Sequence, residues 1–465
     1  MFQSREQSIG SSYASPSIIS GLRQQPRWKI YDRETIDQIP QLRYLSSEVI
    51  KDIRLATLVF PFKVNEYALD NLIDWGQAPD DPMFRLLFPT GEMLKDADRT
   101  RLEKMVDSCA SPSEIHNVVT EIRASMNPHP SDQMANVPFY NGQYIKGIQH
   151  KYDETVLVFP KQGQTCHSYC SFCFRWPQFV TDVAPKFELI DTGLLHAYLK
   201  SQPQVTDLLM TGGDPLVMNT RRLASYLDEL TRPEFRHIHT VRLGTKALTY
   251  WPYRFLGEDS DELFELFRRL IGEGKHVALM AHVNHWRELE PEPVAEAIAK
   301  LKQLGVVIRV QSPLLHHIND SADVWSRNWN KQASLGMIPY YMFVERDTGA
   351  SDYFGVPLAR ALSIYQDATK GLSGLAKTAR GPVMSGSPGK VHVSGTLTMN
   401  GKRYFLLNFL QARKKAWLNQ PFLAEYSDTA MWLDSLTPAD GAQRFFFKEE
   451  SRPVLEQKFS EYLDI

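Results

Sequence analysis

The sequence predicts an α/β fold whose centre is a partial (β/α)6 barrel of the TIM type, with a helical layer before it and an extension after it. Six short apolar or β-branched runs recur after Asn127 at intervals of about thirty residues, and amphipathic segments lie between them. The runs are apolar on both faces, which is typical of buried parallel strands joined by helices. Polar residues follow several runs, and this favours a barrel with its site at the carboxyl ends of the strands. The strand count alone also permits an open, doubly wound sheet.

The predicted strands and helices alternate along the chain. The strand runs are TVLVFP (155–160), TDLLMT (206–211), HTVRLGT (239–245), HVALMAHV (276–283), VVIRVQSPLL (306–315) and IPYYMFVE (338–345). The helical segments between them are LIDTGLLHAYLK (189–200), TRRLASYLDEL (220–230), DELFELFRRLIGEG (261–274), PEPVAEAIAKLKQLG (291–305) and ADVWSRNWNKQASLG (322–336). Each segment has the apolar stripe of a helix that packs on a sheet.

Four regions are expected. Residues 1–32 are rich in Ser, Gly and Gln and predict a mobile arm, and residues 33–136 predict a helical region. In that region Ser111 and Glu114 have the spacing of a capping box. Residues 137–345 form the predicted core. Residues 346–465 form a C-terminal region with a Gly-rich loop, a hairpin at Asn400-Gly401 and an extension.

Charge and hydropathy exclude several classes of protein. The 465 residues include 52 Lys and Arg against 54 Asp and Glu, a net charge of −2. This near-balance excludes a protein that binds nucleic acid through bulk positive charge. No stretch is apolar enough to span a membrane, and the first residues carry no apolar signal segment. We therefore expect a cytoplasmic protein that binds neither nucleic acid nor membrane.

Three of the four cysteines lie close together. Cys166, Cys170 and Cys173 have the spacing C-x3-C-x2-C in TCHSYCSFCFRW, directly after the first strand run, whereas Cys109 stands apart. Three thiolates on one loop can ligate three irons of a [4Fe–4S] cubane and leave the fourth iron without a protein ligand. Structural zinc is the alternative, and its fourth ligand would be His167 or Cys109.

The cysteine loop resembles the signature of the radical S-adenosylmethionine superfamily, with Phe172 at the aromatic position beside the last cysteine. The resemblance implies that the open iron binds S-adenosylmethionine. One electron from the cluster then cleaves it to methionine and a 5′-deoxyadenosyl radical, which takes a hydrogen atom from the substrate. TGGDPL, at the end of the second strand run, is similar to the superfamily's motif for the amino group of S-adenosylmethionine. Gly212, Gly213 and Asp214 are therefore expected near this cofactor, the glycines allowing its close approach.

An ordered series of segments narrows the resemblance to the lysine 2,3-aminomutase family, of which the chain looks like a divergent member. The series consists of KYDETVLVF, GGDPL, RLGTKALTYWPYR, AHVNHWRELEPE, RVQSPLLHHIND, GMIPYYMFVERD and GSPGK. Enzymes of this family also use pyridoxal phosphate, which holds the α-nitrogen of an amino acid while a radical at the β-carbon lets that nitrogen migrate. The resemblance implies an isomerase with three cofactors: a [4Fe–4S] cluster, S-adenosylmethionine and pyridoxal 5′-phosphate.

Four residues match functional positions of the family. Lys390 in GSPGK aligns with the Schiff-base lysine; its small neighbours leave the amine accessible, and a desolvated amine is nucleophilic. Arg175 matches the arginine that holds the α-carboxylate of the substrate, which suits a guanidinium fork. Gln311 and His282 match positions that face S-adenosylmethionine or pyridoxal phosphate, although ordinary hydrogen-bonded interior residues would also occur there.

The sequence departs from the family in two places. Arg346 and Val383 correspond to the two aspartates that lysine-specific enzymes place near the distal ammonium of the substrate. A cation and an apolar group do not stabilise an ammonium, so a substrate other than L-lysine, such as a glutamate-like one, is expected. If the correspondence with the family is shifted by one residue here, Asp347 takes the position of Arg346 and supplies an acid. The two phosphate-binding arginines of the family appear as Lys151 and Thr155, and the lysine keeps a positive charge.

Three functions fit the sequence. The first is an amino acid 2,3-aminomutase, and the second is another radical reaction of the same family, such as an elimination or a modification. The third is a zinc-organised binding protein without catalysis. A radical enzyme needs an external electron donor of the flavodoxin or ferredoxin type, besides its amino acid substrate. The C-terminal extension is a candidate element for forming a homo-oligomer or covering the pocket.

Overall fold

The computed structural model describes residues 27–127, 135–180, 186–439 and 441–448. The strands are β1 (Ile30–Asp32), β2 (Lys63–Asn65), β3 (Phe139–Tyr140), β4 (Gln143–Tyr144), β5 (Ile148–Tyr152), β6 (Thr155–Val158), β7 (Asp207–Met210), β8 (Thr240–Thr245), β9 (His276–His282), β10 (Val307–Leu314), β11 (Ile338–Val344), β12 (Arg380–Ser385), β13 (Gly389–Met399), β14 (Lys402–Ala412) and β15 (Phe422–Glu425). The helices are α1 (Ser47–Val59), α2 (Glu66–Asn71), α3 (Pro82–Leu87), α4 (Asp96–Asp107), α5 (Pro112–Ser125), α6 (Thr192–Lys200), α7 (Thr220–Leu227), α8 (Ala247–Tyr250), α9 (Ser260–Gly272), α10 (Glu292–Gln303), α11 (Ala322–Ser334), α12 (Ser351–Phe354) and α13 (Leu358–Lys370). Within the described ranges, no helix combines the length and apolar character that a membrane crossing requires.

Strands β5 to β15 form one sheet in which each strand pairs with its neighbours in chain order. Strands β6 to β12 are parallel. The six predicted strand runs are confirmed as β6 to β11, and the five predicted helical segments coincide with α6, α7, α9, α10 and α11 to within a few residues at their ends. A doubly wound sheet would reverse its strand order midway. The sequential order keeps the connecting helices on one face, as in a barrel.

The two faces of the parallel strands have different roles. Leu208, Val241 and Leu279 point toward the helices and belong to one large apolar core. Alternate residues of each strand point to the opposite face, the lumen of the partial barrel, because successive side chains of a strand point to opposite sides. The lumen-facing residues that concern the site are Thr155, Asp207, Arg242, His282, Gln311, Tyr341, Val383 and Lys390.

The sheet is curled so strongly that its first strand contacts a much later one. Eight strand-to-strand steps separate β5 from β13, which would be about 38 Å in a flat sheet at a spacing of about 4.8 Å. Yet Lys151 Nζ on β5 donates a hydrogen bond to Gly386 O, just before β13. Lys390 Nζ on β13 lies 5.8 Å from the ring centre of Tyr152 on β5. The turn between β12 and β13, which directly precedes Lys390, therefore closes the side of the predicted partial barrel. This turn is called the lysine loop.

An N-terminal layer of β1, β2 and α1 to α5 covers the carboxyl ends of the barrel strands. Its apolar core includes Phe172 after β6, Tyr250 after β8 and Phe354 after β11. The predicted capping box at the start of α5 is confirmed, because Ser111 N donates to Glu114 Oε2 at 2.9 Å and Glu114 N donates to Ser111 Oγ at 3.4 Å.

The predicted boundary of the mobile arm at residue 32 needs a correction. Residues 30–32 form β1, which pairs with β2 and so belongs to the N-terminal layer. The pairing also places a strand, β2, inside the region predicted as helical. Residues 1–26 of the predicted arm lie outside the described residues.

The C-terminal region extends the central sheet. Strand β12 lies parallel to β11, so a seventh parallel strand continues past the predicted boundary at residue 345. The sequence did not predict β12, because Gly381 and Pro382 weaken its strand pattern. The hairpin between β13 and β14 is confirmed: Asn400 and Gly401 have φ values of 48° and 75°, as a two-residue type I′ turn requires. Strands β13 to β15 share an apolar core with α13.

Candidate active site

The cysteine loop lies at the carboxyl end of β6 and is held by the N-terminal layer. Tyr169 N donates to Lys63 O of β2 at 2.7 Å, and Ser171 N donates to Leu86 O of α3 at 3.0 Å. Backbone hydrogen bonds of this kind fix a loop that has no regular structure of its own. The N-terminal helices and β2, to which the sequence assigned no role, therefore position the cysteines.

The three cysteines of the loop are half-buried, and desolvation raises the pKa of each thiol. The pKa is well above the ordinary value for Cys166 and about 12 for Cys173, and Cys170 shifts in the same direction. The thiols also raise one another's pKa values, so they lie within electrostatic reach, while Lys63 opposes the shift at Cys166. Such thiols ionise when a metal cation binds. Cys109 is exposed, in the turn between α4 and α5.

A cluster and a single metal ion require different arrangements of cysteine thiolates. Among the residues that the structure describes, no three His, Cys, Asp or Glu side chains are placed to hold a single metal ion. A cubane cluster spreads its cysteine ligands over different irons, so its thiolates need not converge on one point.

Asp214 is bound by the chain itself. Its buried carboxylate accepts hydrogen bonds from Thr245 Oγ1 at 2.8 Å and from the backbone N–H groups of Leu216, Lys246 and Ala247 at 2.9 to 3.1 Å. Burial alone would raise the pKa of Asp214, but these hydrogen bonds and the adjacent histidine of the cysteine loop lower it overall. Asp214 therefore ties the glycine turn after β7 to the end of β8.

Gly212 and Gly213 let the glycine turn pack against the start of the cysteine loop. A Cβ on Gly212, whose φ is 139°, would lie 2.2 Å from Gln164 Nε2. A Cβ on Gly213 would lie 2.3 Å from Thr165 O and 2.5 Å from Thr165 N. Asp214 N also donates to Thr165 O at 2.7 Å. The sequence predicts that the glycines let a ligand come close. The structure shows that they also let Gln164 and Thr165 of the cysteine loop come close.

Replacing Gly213 by Ala is expected to displace the cysteine loop and lower the iron content of the protein. The new Cβ would overlap the backbone of Thr165, which cannot swing aside as a flexible side chain can. We expect a severalfold loss of iron and sulfide per chain after anaerobic reconstitution. Gly272→Ala on α9 is the control, because nothing lies within 4 Å of its Cβ position. Equal iron contents of the two variants would contradict the packing argument.

Lys390 is a half-buried lysine whose amine lies in the lumen. Its pKa is lowered to about 7, first because burial removes the ammonium from water and then because Arg242 and Arg380 repel it. Its Nζ donates to Gln411 Oε1 and lies 5.1 Å from the ring centre of Tyr341. An amine with this pKa is largely neutral above pH 7, which suits attack on an aldehyde. This is the environment that the sequence predicts for Lys390.

Lys151 holds the lysine loop, which directly precedes Lys390. Its Nζ donates to Gly386 O and lies 5.2 Å from the ring centre of Tyr152. Thr155, the other residue expected near a phosphate, begins β6 and is buried on the lumen face. The phosphate roles of both residues stay predictions. The contact with Gly386 gives Lys151 a further role, since it links β5 to the lysine loop.

Arg175 lies among aromatic rings beside the cysteines. Its Cζ is 4.4 Å from the ring centre of Phe159 and 5.1 Å from that of Phe174. Burial lowers its pKa to about 10, and repulsion by Arg346 contributes. The Nη1 atom is buried and has no hydrogen-bond partner among the described residues. A buried guanidinium with an unused donor suits a carboxylate ligand.

Arg346 and Val383 lie close to Arg175. Arg346 follows the end of β11, donates to Ser385 O, and has its Cζ 4.8 Å from the ring centre of Phe174, the ring that Arg175 also contacts. Val383 is fully buried and shares the lumen face of β12 with Ser385. The structure therefore brings both predicted substrate-side-chain residues to the same part of the lumen as the predicted carboxylate site.

Sequence reasoning missed one acid in this part of the lumen. Glu345 directly precedes Arg346, and burial raises the pKa of its carboxyl well above the ordinary value. Met342 and Val344 of β11 pack in the outer cores, so alternation along the strand directs position 345 toward the lumen. The same alternation, applied to the sequence, could have found it.

His282 and Gln311 are neighbours in register on adjacent parallel strands of the lumen. The His282 ring packs edge-on against Phe172 of the cysteine loop at 5.6 Å between ring centres. Burial and the nearby Lys246 hold the pKa of His282 well below its ordinary value, so the imidazole is neutral. Within the described part of the chain, His282 Nε2 and Gln164 Oε1 are buried without a hydrogen-bond partner. Polar atoms of this kind are satisfied by a ligand or by ordered water.

Comparison with known proteins identifies the family. No family model matches the chain. A protein of Aquifex aeolicus (strain VF5), provisionally named L-lysine 2,3-aminomutase, is 30% identical to it over 369 residues, which are 79% of this chain and 84% of the relative. The chain belongs to the lysine 2,3-aminomutase family. The L-lysine 2,3-aminomutase of Acetoanaerobium sticklandii is 24% identical over 82% of this chain and 82% of its own length. That of Bacillus subtilis (strain 168) is 25% identical over 74% of this chain and 62% of its own length.

Membership of the lysine 2,3-aminomutase family confirms the predicted resemblance and places the enzyme in the radical S-adenosylmethionine superfamily. Among solved structures, a radical SAM methyltransferase of Sphaerobacter thermophilus aligns with a TM-score of 0.33 and 17% identity, over 49% of this chain and 67% of that chain. A radical S-adenosylmethionine methyltransferase of Kitasatospora setae aligns with a TM-score of 0.29 and 10% identity, over 42% of this chain and 36% of that one. The fold assignment rests on the sheet topology instead.

The cofactors of the lysine 2,3-aminomutase family are a [4Fe–4S] cluster, S-adenosylmethionine and pyridoxal phosphate, and the residues of this chain fit them. The cysteine loop offers three half-buried cysteines with pKa values raised by desolvation for iron. Lys390 offers a buried amine of lowered pKa for the aldehyde of pyridoxal phosphate. The Nε2 atom of His282 and the Nη1 atom of Arg175, which have no partner among the described residues, each offer a hydrogen bond to a polar ligand.

Proposed function

We propose that this chain is an amino acid 2,3-aminomutase of the radical type that uses pyridoxal phosphate, and that its substrate is an α-amino acid other than L-lysine. The arrangement of Lys390 and Arg175 carries the proposal. One is a lumen amine with a pKa of about 7, and the other is a guanidinium with an unused donor next to the cysteine loop. Because the amino group moves within one molecule, the enzyme would be an isomerase.

Each side chain has a defined task in this proposal. Cys166, Cys170 and Cys173 hold the cluster, and Arg175 holds the α-carboxylate of the substrate by two parallel hydrogen bonds. Lys390 would hold pyridoxal phosphate through its side-chain amine in the lumen. S-adenosylmethionine at the open iron supplies hydrogen-atom abstraction, and pyridoxal phosphate supplies the carbonyl chemistry that nitrogen migration needs. The electron comes from an external donor of the flavodoxin or ferredoxin type.

The remaining lumen residues orient these groups. The neutral imidazole of His282 and the amide of Gln311 offer hydrogen bonds to S-adenosylmethionine, the cofactor that is also expected near Gly212 and Gly213. Lys151 supplies positive charge for the phosphate while it holds the lysine loop. The aromatic rings around Arg175 exclude water, which strengthens its interaction with a carboxylate.

Arg346 and Val383 favour a substrate whose side chain carries an acid or no charge. A second ammonium beside them would meet a cation on one side and an apolar surface on the other. Burial raises the pKa of the adjacent Glu345 carboxyl, and Arg346 acts in the opposite direction. Glutamate is the acidic amino acid that we propose first, because Arg346 could pair with its side-chain carboxylate.

An anaerobic assay with the common amino acids tests this function. The reconstituted enzyme is incubated with S-adenosylmethionine, pyridoxal phosphate, dithionite and one amino acid at a time, and β-amino products are separated by chromatography and identified by mass. We expect a β-amino acid from glutamate or an uncharged amino acid and none from lysine. β-Lysine would contradict the substrate assignment. If S-adenosylmethionine is cleaved and the amino acid yields an elimination product, the alternative radical reaction is favoured. A colourless protein that contains zinc would favour the zinc-organised binding protein.

The double variant Arg346→Asp with Val383→Asp is expected to gain activity toward lysine. Two carboxylates would then face the position of the distal ammonium, and the repulsive cation would be gone. We expect kcat/KM for lysine to rise at least about tenfold, which corresponds to about 1.4 kcal/mol. Arg360→Asp, on the exposed face of α13, is the control for the change of charge. No gain in a double variant with full cluster content would contradict the pocket assignment.

A further inference from the structure

Tyr250 is a buried tyrosine whose hydroxyl lies against a cysteine of the loop. It ends α8, is fully buried, and has its OH 3.3 Å from Cys170 Sγ. A thiolate bound to iron carries no proton, so in the loaded protein the tyrosine hydroxyl is the donor and the sulfur accepts. The contact joins the end of β8 to the cysteine loop across 80 residues of sequence.

A buried ion pair fixes the ring of Tyr250 from behind. Lys246 Nζ lies 4.5 Å from the centre of the ring and 2.5 Å from Glu288 Oε2. Thr249 Oγ1 donates to the same carboxylate oxygen at 2.9 Å, and the other oxygen accepts Asn284 N at 2.6 Å. Every member of this network is buried, so the direction of the tyrosine hydroxyl is set by the fold and not by solvent.

We propose that Tyr250 is a positioning residue that donates a hydrogen bond to the Cys170 thiolate and thereby raises the reduction potential of the cluster. Reduction adds one electron, from an external low-potential donor, and increases the negative charge on the sulfurs. A hydrogen bond to sulfur stabilises this more negative form and makes reduction easier. The Lys246–Glu288 pair keeps the hydroxyl in place and balances the charge behind it. The inference rests on the cluster site of the proposed function.

Tyr250→Phe tests the inference because it removes the hydroxyl and keeps the ring. The reconstituted variant and wild type are titrated with dithionite under potentiometric control, and the reduced cluster is followed by electron paramagnetic resonance. We expect a potential more negative by an amount equivalent to at least a tenfold change in the reduction equilibrium, about 59 mV for one electron. Tyr226→Phe is the control, since Tyr226 is also buried but donates to Leu189 O at 3.3 Å. Equal potentials in Tyr250→Phe and wild type, at equal iron content, would overturn the proposal.

Glu288→Gln gives a second test if Tyr250→Phe does not retain iron. This change keeps the size of the side chain but removes the partner of Lys246, which lies on the ring of Tyr250, so the hydroxyl is no longer held against Cys170 and the potential should become more negative. Loss of the carboxylate charge alone would act in the opposite direction, so an unchanged or more positive potential would overturn the proposed network. The wild-type iron content separates this inference from the proposed function: a wild type without a cluster refutes both, whereas a wild type with a cluster and unshifted variants refutes only the role of Tyr250.

Discussion

Cys170→Ser is expected to abolish the iron–sulfur cluster and, with it, all radical chemistry. Only two thiolates would remain on a loop that already leaves one iron without a protein ligand, and a serine hydroxyl is a poor substitute for a soft thiolate. Iron and acid-labile sulfide per chain, measured after anaerobic reconstitution, should fall to background, and the brown absorbance should disappear. Cleavage of S-adenosylmethionine by dithionite-reduced protein should stop as well.

Cys109→Ser is the matched control for this loss. Cys109 is exposed in the turn between α4 and α5, away from the loop, and serine fits the same backbone with little change in volume. The Cys109→Ser variant should therefore bind the same amount of iron as the wild type. Full iron in Cys170→Ser, or loss of iron in Cys109→Ser, would contradict the assignment of the three loop cysteines.

Lys390→Ala is expected to abolish covalent attachment of pyridoxal phosphate and to remove product formation. Attachment in the wild type, measured by absorbance and by mass after borohydride reduction, should rise as the pH rises through about 7. The pKa of Lys390 is lowered to about 7, mainly by burial, and only the neutral amine attacks an aldehyde, so the reactive fraction grows above this pH. An ordinary lysine would need a pH near 10.

Lys402→Ala separates the effect of Lys390 from that of any lysine on the same hairpin. Lys402 begins β14 and is exposed, so this variant should attach the cofactor as the wild type does. Iron content and cleavage of S-adenosylmethionine should stay normal in Lys390→Ala, because the cysteine loop is untouched. Attachment that persists in Lys390→Ala, or that is independent of pH between 6 and 9, would refute the assigned role.

The N-terminal layer and the C-terminal region position different parts of the site. The N-terminal layer holds the cysteine loop through Lys63 and Leu86. The C-terminal region supplies Lys390 and closes the open side of the barrel through the contact of Lys151 with Gly386. The parallel strands between them carry the lumen residues, so a change in either flanking region would alter the site without touching a lumen strand.

The sequence by itself determined the features that depend on nearby residues. The six strand runs, the capping box at Ser111 and the hairpin at Asn400 were all predicted correctly, because periodicity, capping and turn chemistry act within a few positions of the chain. Strand β12 was missed for the same reason, since its local pattern contains Gly381 and Pro382.

Tertiary structure decided what the distant parts do for one another. It showed that Asp214 is bound by the end of β8, that the glycines of the turn admit Thr165, and that the hydroxyl of Tyr250 reaches Cys170. It also brought Lys151 to Gly386, 235 residues away. These contacts arise from the curl of the sheet and from which faces pack together, and no local pattern in the sequence encodes such long-range geometry.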